Sequence, residues 1–359
     1  MKTLSLLHTK AAAVVMGLLL ITAACGEIDD AKKDVVPEGH GILTVNVKSV
    51  DTPTKSYTAA IGGDMTARGL QVLIFDERGN FYDAATKDSD TKYSKTVPTG
   101  TYTVVAVANG KTYNDSNAPT LSTLEAEAMS FVSGSGVNAE AVASGMARYG
   151  KGEATVTANG GTANVTAKIM AFRVTLAAAN ITGDAVGRLT LTDVFLENIY
   201  GNCTLGGTVS NFQNIGGRTG YAASSVPEVI SANTAFGGAM TYNTFAAANN
   251  PGKGFYSYPK APAADQFNGP LSENEAYTRL VLVGTWKQSA SSASETVYYP
   301  VTIRHDSGAP QAGYSYDVTA NITKKGSDDP NKPVPAGGGL TVNVDVNGWT
   351  AGPDITENF

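Results

Sequence analysis

Two stretches near opposite ends of the chain spell the same five residues, Leu43-Thr44-Val45-Asn46-Val47 and Leu340-Thr341-Val342-Asn343-Val344. In the first, Leu43, Val45 and Val47 alternate with Thr44, Asn46 and Lys48; in the second, Leu340, Val342, Val344 and Val346 alternate with Thr341, Asn343 and Asp345. A period of two places the apolar side chains on one face of an extended backbone, so both stretches are predicted as half-buried strands. Strands that carry the same side-chain row fit the same groove. Val, Thr, Leu and Asn are common in β-rich chains, so the repeat gains meaning only from what flanks it.

The flank of the first copy sets the compartment. Lys2 and Lys10 precede an apolar run from Ala11 to Ile21, followed by Thr22-Ala23-Ala24-Cys25-Gly26. This is the pattern of a signal peptide over residues 1–24, and small residues ending directly at a cysteine are what a lipoprotein signal peptidase accepts. Cys25 is therefore predicted to become the lipid-bearing N-terminus, with acyl chains rather than a spanning helix as the anchor. The apolar run itself is too short to cross a bilayer. Losing two lysines and no acids moves the net charge from −6 to −8, which leaves no basic footprint for nucleic acid. Cys203 is the only other cysteine, so no internal disulfide is expected and stability must come from buried area. The length fits two domains, and 39 glycines and 16 tyrosines with few charges favour β-sandwiches with many turns.

Residues 26–40 are polar and charged and read as a tether, with the first strand following at Gly41 to Ser49. The next stretch, Val50-Asp51-Thr52-Pro53-Thr54-Lys55-Ser56-Tyr57, is predicted as an exposed loop of the kind that proteases cut, with Lys55 as the basic residue in it. Strands are expected at Leu70 to Phe75, turning through Asp76-Glu77-Arg78-Gly79-Asn80 into Phe81-Tyr82, and at Thr101 to Ala108. One helix is expected in this half: Ser122-Thr123-Leu124-Glu125 reads as a capping box, with helix formers from Leu124 to Phe131. Residues 150–165 are rich in Gly, Ala and Thr, and alternation returns at Lys168 to Leu176, so the domain boundary is placed near Ala167. Further strands are expected at Arg188 to Ile199, Arg279 to Trp286, Thr296 to Arg304 and Gly313 to Thr323. Between Gly206 and Gly269 periodicity fails, which points to surface loops with short strands. The run from Lys324 to Gly339 holds three prolines and four glycines and reads as a hinged arm carrying the second copy of the strand, then Asn347-Gly348-Trp349 and a tail to Phe359.

Catalytic chemistry is thin. The histidines are His8 in the signal peptide, His40 in the tether and His305 beside Asp306, and a lone pair at a strand-to-turn junction reads as a surface polar contact. Cys203 has no histidine near it in sequence and reads as an inert thiol. Asp88-Ser89-Asp90 and Asp328-Asp329 lack the ligand spacing of a calcium loop, and no phosphate loop, dinucleotide fingerprint or zinc spacing is present. No enzyme activity, metal or cofactor is expected.

The order of these parts is more specific than any one of them. A lipid-type signal peptide, a first strand, a basic residue in the next loop, two β-rich halves, a Gly/Pro arm and a terminal strand ending in a tryptophan resemble the fimbrillin family, the subunits of type V pili. The resemblance is carried by Leu70 to Asn80, Leu196-Glu197-Asn198-Ile199-Tyr200, Tyr298-Tyr299-Pro300-Val301 and Tyr314 to Thr323, together with the arm, Leu340 to Val346 and Trp349. It implies an all-β fold with one or two short helices: two transthyretin-like β-sandwich domains, residues 56–167 and 168–323, and a donor-strand arm at 324–359. Residues 25–55 would then be a propeptide, removed with its lipid by an outer-membrane trypsin-like protease. Better-known members are cut after an arginine in the loop following the first strand; Lys55 holds that position here, with Ser56 the new N-terminus and Arg68 in reserve. The displaced strand would be Leu43, Val45 and Val47, and the donor strand Leu340, Val342, Val344, Val346 and Trp349 of a neighbour.

The expected role is a stalk subunit of a surface fimbria that supports adhesion. Its partners would be other copies of itself, head to tail, with anchor and tip subunits, the transient protease, and the membrane only through the precursor's lipid. An outer-membrane-anchored lipoprotein that does not polymerise, acting as anchor, tip or glycan or host-protein binder, is the alternative.

Overall fold

The computed structural model describes residues 36–48, 67–130, 132–133, 136–137, 145–213, 255–259, 278–306, 308–330, 332, 334 and 339–348. The first half holds β1 (His40–Lys48), β2 (Gln71–Phe75), β3 (Phe81–Ala84), β4 (Thr86–Ser89), β5 (Lys92–Pro98) and β6 (Gly100–Ala108). A short helix, α1 (Leu121–Glu125), precedes β7 (Ala128–Ser130), β8 (Val132–Ser133), β9 (Gly136–Val137), β10 (Arg148–Val156), β11 (Gly161–Thr166) and β12 (Lys168–Ile169). Then come β13 (Phe172–Ile181), β14 (Leu189–Glu197), β15 (Ile199–Thr204), β16 (Val209–Gln213) and β17 (Phe255–Ser257). The last strands are β18 (Arg279–Trp286), β19 (Glu295–Thr302), β20 (Tyr314–Ile322) and β21 (Leu340–Gly348). The protein is all-β, as expected.

Two sheets enclose the first core. One has the order β11-β1-β5-β4 and the other β12-β10-β6-β2-β3. Between them pack Leu43, Val45 and Val47 of β1, Tyr93 and Val97 of β5, Val72, Ile74, Val104 and Ala106, and Ala163 and Val165 of β11. The second core lies among the sheets β17-β13-β20-β21, β14-β18-β19 and β16-β15-β7. The apolar run Val72-Leu73-Ile74-Phe75 is continuous because both of its faces are buried. Val72 and Ile74 point into the first core, while Leu73 and Phe75 join Val105, Val107, Tyr113, Leu124 and Leu205 in a third cluster. Leu205 and the adjoining Met170 belong to the second half, and β7 of the first half pairs with β15 of the second, so apolar contacts and a ladder link the two.

The expected strands at Gly41, Leu70, Thr101, Arg188, Arg279, Thr296, Gly313 and Leu340 are present as β1, β2, β6, β14, β18, β19, β20 and β21. The turn after β2 is closed by the Asp76 carboxylate, which accepts from the backbone N–H of Arg78 (2.9 Å) and Asn80 (2.8 Å). Gly79 there takes φ +76°, a conformation few other residues adopt easily. The helix differs from expectation. Its N-cap is Thr120, whose hydroxyl accepts from the Thr123 N–H, and it ends at Glu125. Glu125 does not reach back as a box residue would, because its carboxylate takes the Tyr149 hydroxyl (2.8 Å) and Lys151 (2.7 Å), which hold it below the usual carboxylate range. The carbonyls of Glu125 and Glu127 are taken by the N–H groups of Gly206 and Leu205, and the chain leaves as β7 instead of continuing the helix.

Residues 150–165, where alternation was lost, hold β10 and β11. Their glycines are there for close approach. A Cβ on Gly150 would lie 2.3 Å from the Thr166 carbonyl oxygen, and one on Gly152 2.8 Å from that of Asn164. The Gly150→Ala substitution should therefore cost about 1–3 kcal/mol by overpacking against backbone that cannot step aside. Gly100→Ala, whose nearest neighbour would be 3.8 Å away, should change stability by less than about 0.5 kcal/mol. Urea denaturation of the two variants checks the contrast.

Candidate functional site

β1 sits inside its sheet. It runs parallel to β11, with Leu43 opposite Gly161 and Val47 opposite Val165, and antiparallel to β5, with Val45 opposite Tyr93. Leu43, Val45 and Val47 are all 0 % exposed. On the outer face, the Asn46 side-chain amide donates to the Asn164 side-chain oxygen across the parallel ladder at 3.0 Å. At the N-terminal end of β1 a Cβ on Gly41 would fall 2.0 Å from the Thr157 carbonyl oxygen, so only glycine fits there.

β21 is placed differently. It forms the edge of its sheet, antiparallel to β20 alone, with Leu340 opposite Ile322, Val342 opposite Ala320, Val344 opposite Val318 and Val346 opposite Tyr316. Its four apolar side chains pack on the second core but stay only partly buried. Asp345 stands directly opposite Asp317, and like charges in facing positions weaken a strand pair, while the Asn347 amide of β21 donates to the same Asp317 at 3.0 Å. The Asn343 amide, which matches Asn46 in the repeated word, contacts only its own strand, donating to Asp345 at 3.1 Å. The same five-residue word is thus fully enclosed in one place and held by one edge, against a facing carboxylate, in the other.

The arm before β21 is fastened at its start. Ser327 and Tyr298 exchange both backbone hydrogen bonds, the Tyr299 hydroxyl donates to the Lys324 carbonyl at 2.9 Å, and Lys325 pairs with Glu295. Gly326 lets this segment lie against β19, since a Cβ there would meet the Tyr298 carbonyl oxygen at 2.5 Å.

Arg68 is exposed, but its backbone is clasped from both sides: its N–H donates to the Asn109 side chain (2.9 Å) and its carbonyl accepts from the Asn109 N–H (3.0 Å). Cys25, Lys55, Ser56 and Trp349 lie outside the described residues. Cys203 is buried on β15, and burial pushes its thiol up to about 11, far from a nucleophile's range. His305 meets Tyr314 edge-on with ring centres 4.4 Å apart and its Nδ1 lies 3.2 Å from the Tyr316 hydroxyl, while Asp306 is 96 % exposed and 3.9 Å away. That contact is a packed ring beside a solvated acid. Glu197 and Arg279 form a buried ion pair between facing positions of β14 and β18, a structural contact within the ladder. Among the described residues no group of three or more potential metal ligands gathers, and no helix is long and apolar enough to cross a membrane.

Residues 43–236 match the family model of the fimbrillin-A associated anchor proteins Mfa1 and Mfa2, and the chain belongs to that family of fimbrial proteins. No curated protein matches it. Among solved structures it is similar to a candidate cell adhesion protein from Bacteroides eggerthii, with 18 % identity, 88 % of this chain and 97 % of the other covered, and a TM-score of 0.58. It is also similar to a fimbrilin from Porphyromonas gingivalis, with 15 % identity, 88 % and 99 % covered, and a TM-score of 0.56. At these identities the likeness is one of fold.

The contrast between the two copies has a direct consequence. Leu43→Ala should lower the stability of the full chain by about 2–5 kcal/mol, the range for a fully enclosed leucine. Leu340→Ala, on a half-buried edge, should cost about 1 kcal/mol or less. Chemical denaturation followed by intrinsic fluorescence checks this, and equal losses would contradict the difference in enclosure.

Proposed function

We propose that the protein is a stalk subunit of a type V-like fimbria, exported as a lipoprotein and polymerised by exchange of one strand for another. The observation that carries this reading is the pair of identical strand words, one at the centre of a sheet and one at an edge. In this reading residues 1–24 are the signal peptide, Cys25 carries the lipid, and a trypsin-like protease cuts at Lys55, so that the mature chain begins at Ser56. Arg68 is less suited to a protease, which needs an extended segment free of such a clasp as Asn109 provides. The mature chain is two transthyretin-like β-sandwich domains, residues 56–167 and 168–323, with the arm at 324–359.

The cut removes β1 with the propeptide. In the sheet order β11-β1-β5-β4 its loss leaves β11 separated from β5, two rows of unpaired backbone groups and an open apolar trough. Each of the three lost side chains had contributed roughly 1.5–3 kcal/mol by burial. A neighbour's Leu340, Val342 and Val344 restore the row, with Val346 and Trp349 extending the contact, and one incoming strand repairs both ladders at once. The donor gains as well, because its apolar row moves from partial to full burial and Asp345 leaves the facing Asp317, against the loss of the Asn347–Asp317 hydrogen bond. Donor and acceptor lie on different parts of the subunit, so the contact is head-to-tail and does not close. Until the cut, β1 fills the groove and the precursor stays monomeric. The product is a surface filament that supports adhesion, with anchor and tip subunits at its ends.

The description of the matched family as anchor proteins favours a second reading, an outer-membrane-anchored lipoprotein that keeps Cys25 and does not polymerise. The complete second strand word at 340–346, which an anchored monomer does not need, favours the stalk.

Trypsin treatment of purified precursor separates the two. Polymers should follow cleavage in the Lys55 region, and a chain ending at Gly339 should be cut without assembling. Assembly of uncut protein, or of the truncated chain, would overturn the stalk reading.

A further inference from the structure

The apolar row alone does not say how far an incoming strand slides into the groove. Side chains repeat every two residues, so a slip of two keeps Leu340, Val342 and Val344 facing inward. Something else must choose among these registers. In the intact chain the parallel ladder between β1 and β11 carries one side-chain amide pair, Asn46 on Asn164 at 3.0 Å, at directly opposed positions. The second half repeats the device: β13 and β20 are also parallel, and Asn180 donates to the opposed Asn321 at 2.8 Å. Two parallel pairs of strands in one chain therefore each carry a matched Asn–Asn contact.

Resting on the strand-exchange reading above, we propose that Asn343 is the register residue of the donor strand. It enters the groove in the direction of β1, parallel to β11, and pairs with Asn164 of the next copy of this chain. The identical order of the two words sets the direction, because only a strand running as β1 does returns every residue of the word to its place. A slip of two sets Asn343 against Thr162 or Thr166, neither of which offers an amide. The far end of the groove acts in the same sense. The place of Gly41, 2.0 Å from the Thr157 carbonyl for any added Cβ, takes only glycine. The chain spells glycine two residues before each copy of the word, Gly41 before Leu43 and Gly338 before Leu340. Sliding the donor two residues further in would bring Leu340 itself against that carbonyl. In its resting place on β20 Asn343 faces Thr319 and donates only within its own strand, so its cross-strand amide partner is gained on exchange.

Cysteine pairs test the register on filaments sheared from cells that produce the full chain. The Thr162→Cys, Thr341→Cys protein keeps Asn343 and Asn164, and in the proposed register it places its two cysteines opposite each other, as Thr44 stands opposite Thr162. It should form inter-subunit disulfides that appear as a ladder on a non-reducing gel and collapse to monomer with reductant. Adding Asn343→Ala to this pair should leave filaments but weaken the ladder several-fold, because a slip of two carries the cysteines about 6.6 Å apart along the strand, beyond the reach of a disulfide. An undiminished ladder from the Asn343→Ala protein would overturn the role of Asn343 while leaving strand exchange intact. Filaments of the Thr162→Cys, Thr341→Cys protein with no ladder would place the donor elsewhere and overturn the proposal. If the unsubstituted chain forms no filaments at all, both the register and the exchange fall together.

Discussion

Within its sheet β11 has one neighbour, and that neighbour is β1. The backbone bonds of β1 to β11 on one side and β5 on the other turn an isolated strand and a hairpin into a four-stranded sheet. Its three enclosed side chains close the first core against the opposite sheet. The first half therefore depends on β1 for both the continuity of this sheet and the closure of its core.

The resting place of β21 makes sense in the same terms. An edge position exposes a row of backbone groups, and proteins usually blunt such edges with charge. β21 carries Asp345 there, set opposite Asp317. The carboxylate discourages other chains from pairing, while Asn347 at the end of β21 donates to Asp317 at 3.0 Å. The start of the arm is fastened to β19 through Ser327 and Tyr299, so release of β21 need not loosen the body that presents it. Enclosure of β1, partial burial of β21 and a firm root for the arm are three separate features consistent with the exchange proposed above.

Much of this was legible in the sequence because period-two alternation is strong where one face is buried, as in β1, β20 and β21. β2 and β18 were legible for the opposite reason, apolar runs covered on both faces. β10 and β11 were not, because their glycines serve the backbone rather than a side-chain row: Gly150 and Gly152 admit the carbonyls of Thr166 and Asn164, contacts between segments that sequence spacing does not reveal. The helix, expected to be capped by Ser122 and to run on to Phe131, is capped by Thr120 and ends at Glu125, because the carbonyls of Glu125 and Glu127 bond to Gly206 and Leu205, partners that only the tertiary fold brings near. Of the candidate site, the repeated word identified both strands and their apolar rows. Their unequal burial and the Asn46–Asn164 and Asp317–Asp345 pairings needed the sheet topology, since each depends on which strand lies alongside. The glycine before each copy was a signal present in the sequence, intelligible only once Thr157 stood beside Gly41.

The central claim is that β1 is a temporary occupant of its groove and is absent from the assembled protein. N-terminal sequencing of the protein recovered from sheared surface filaments tests it most directly. The account predicts a mature chain beginning at Ser56, with residues 25–55 gone. A filament protein that begins at a lipid-blocked Cys25 and still carries β1 would contradict it.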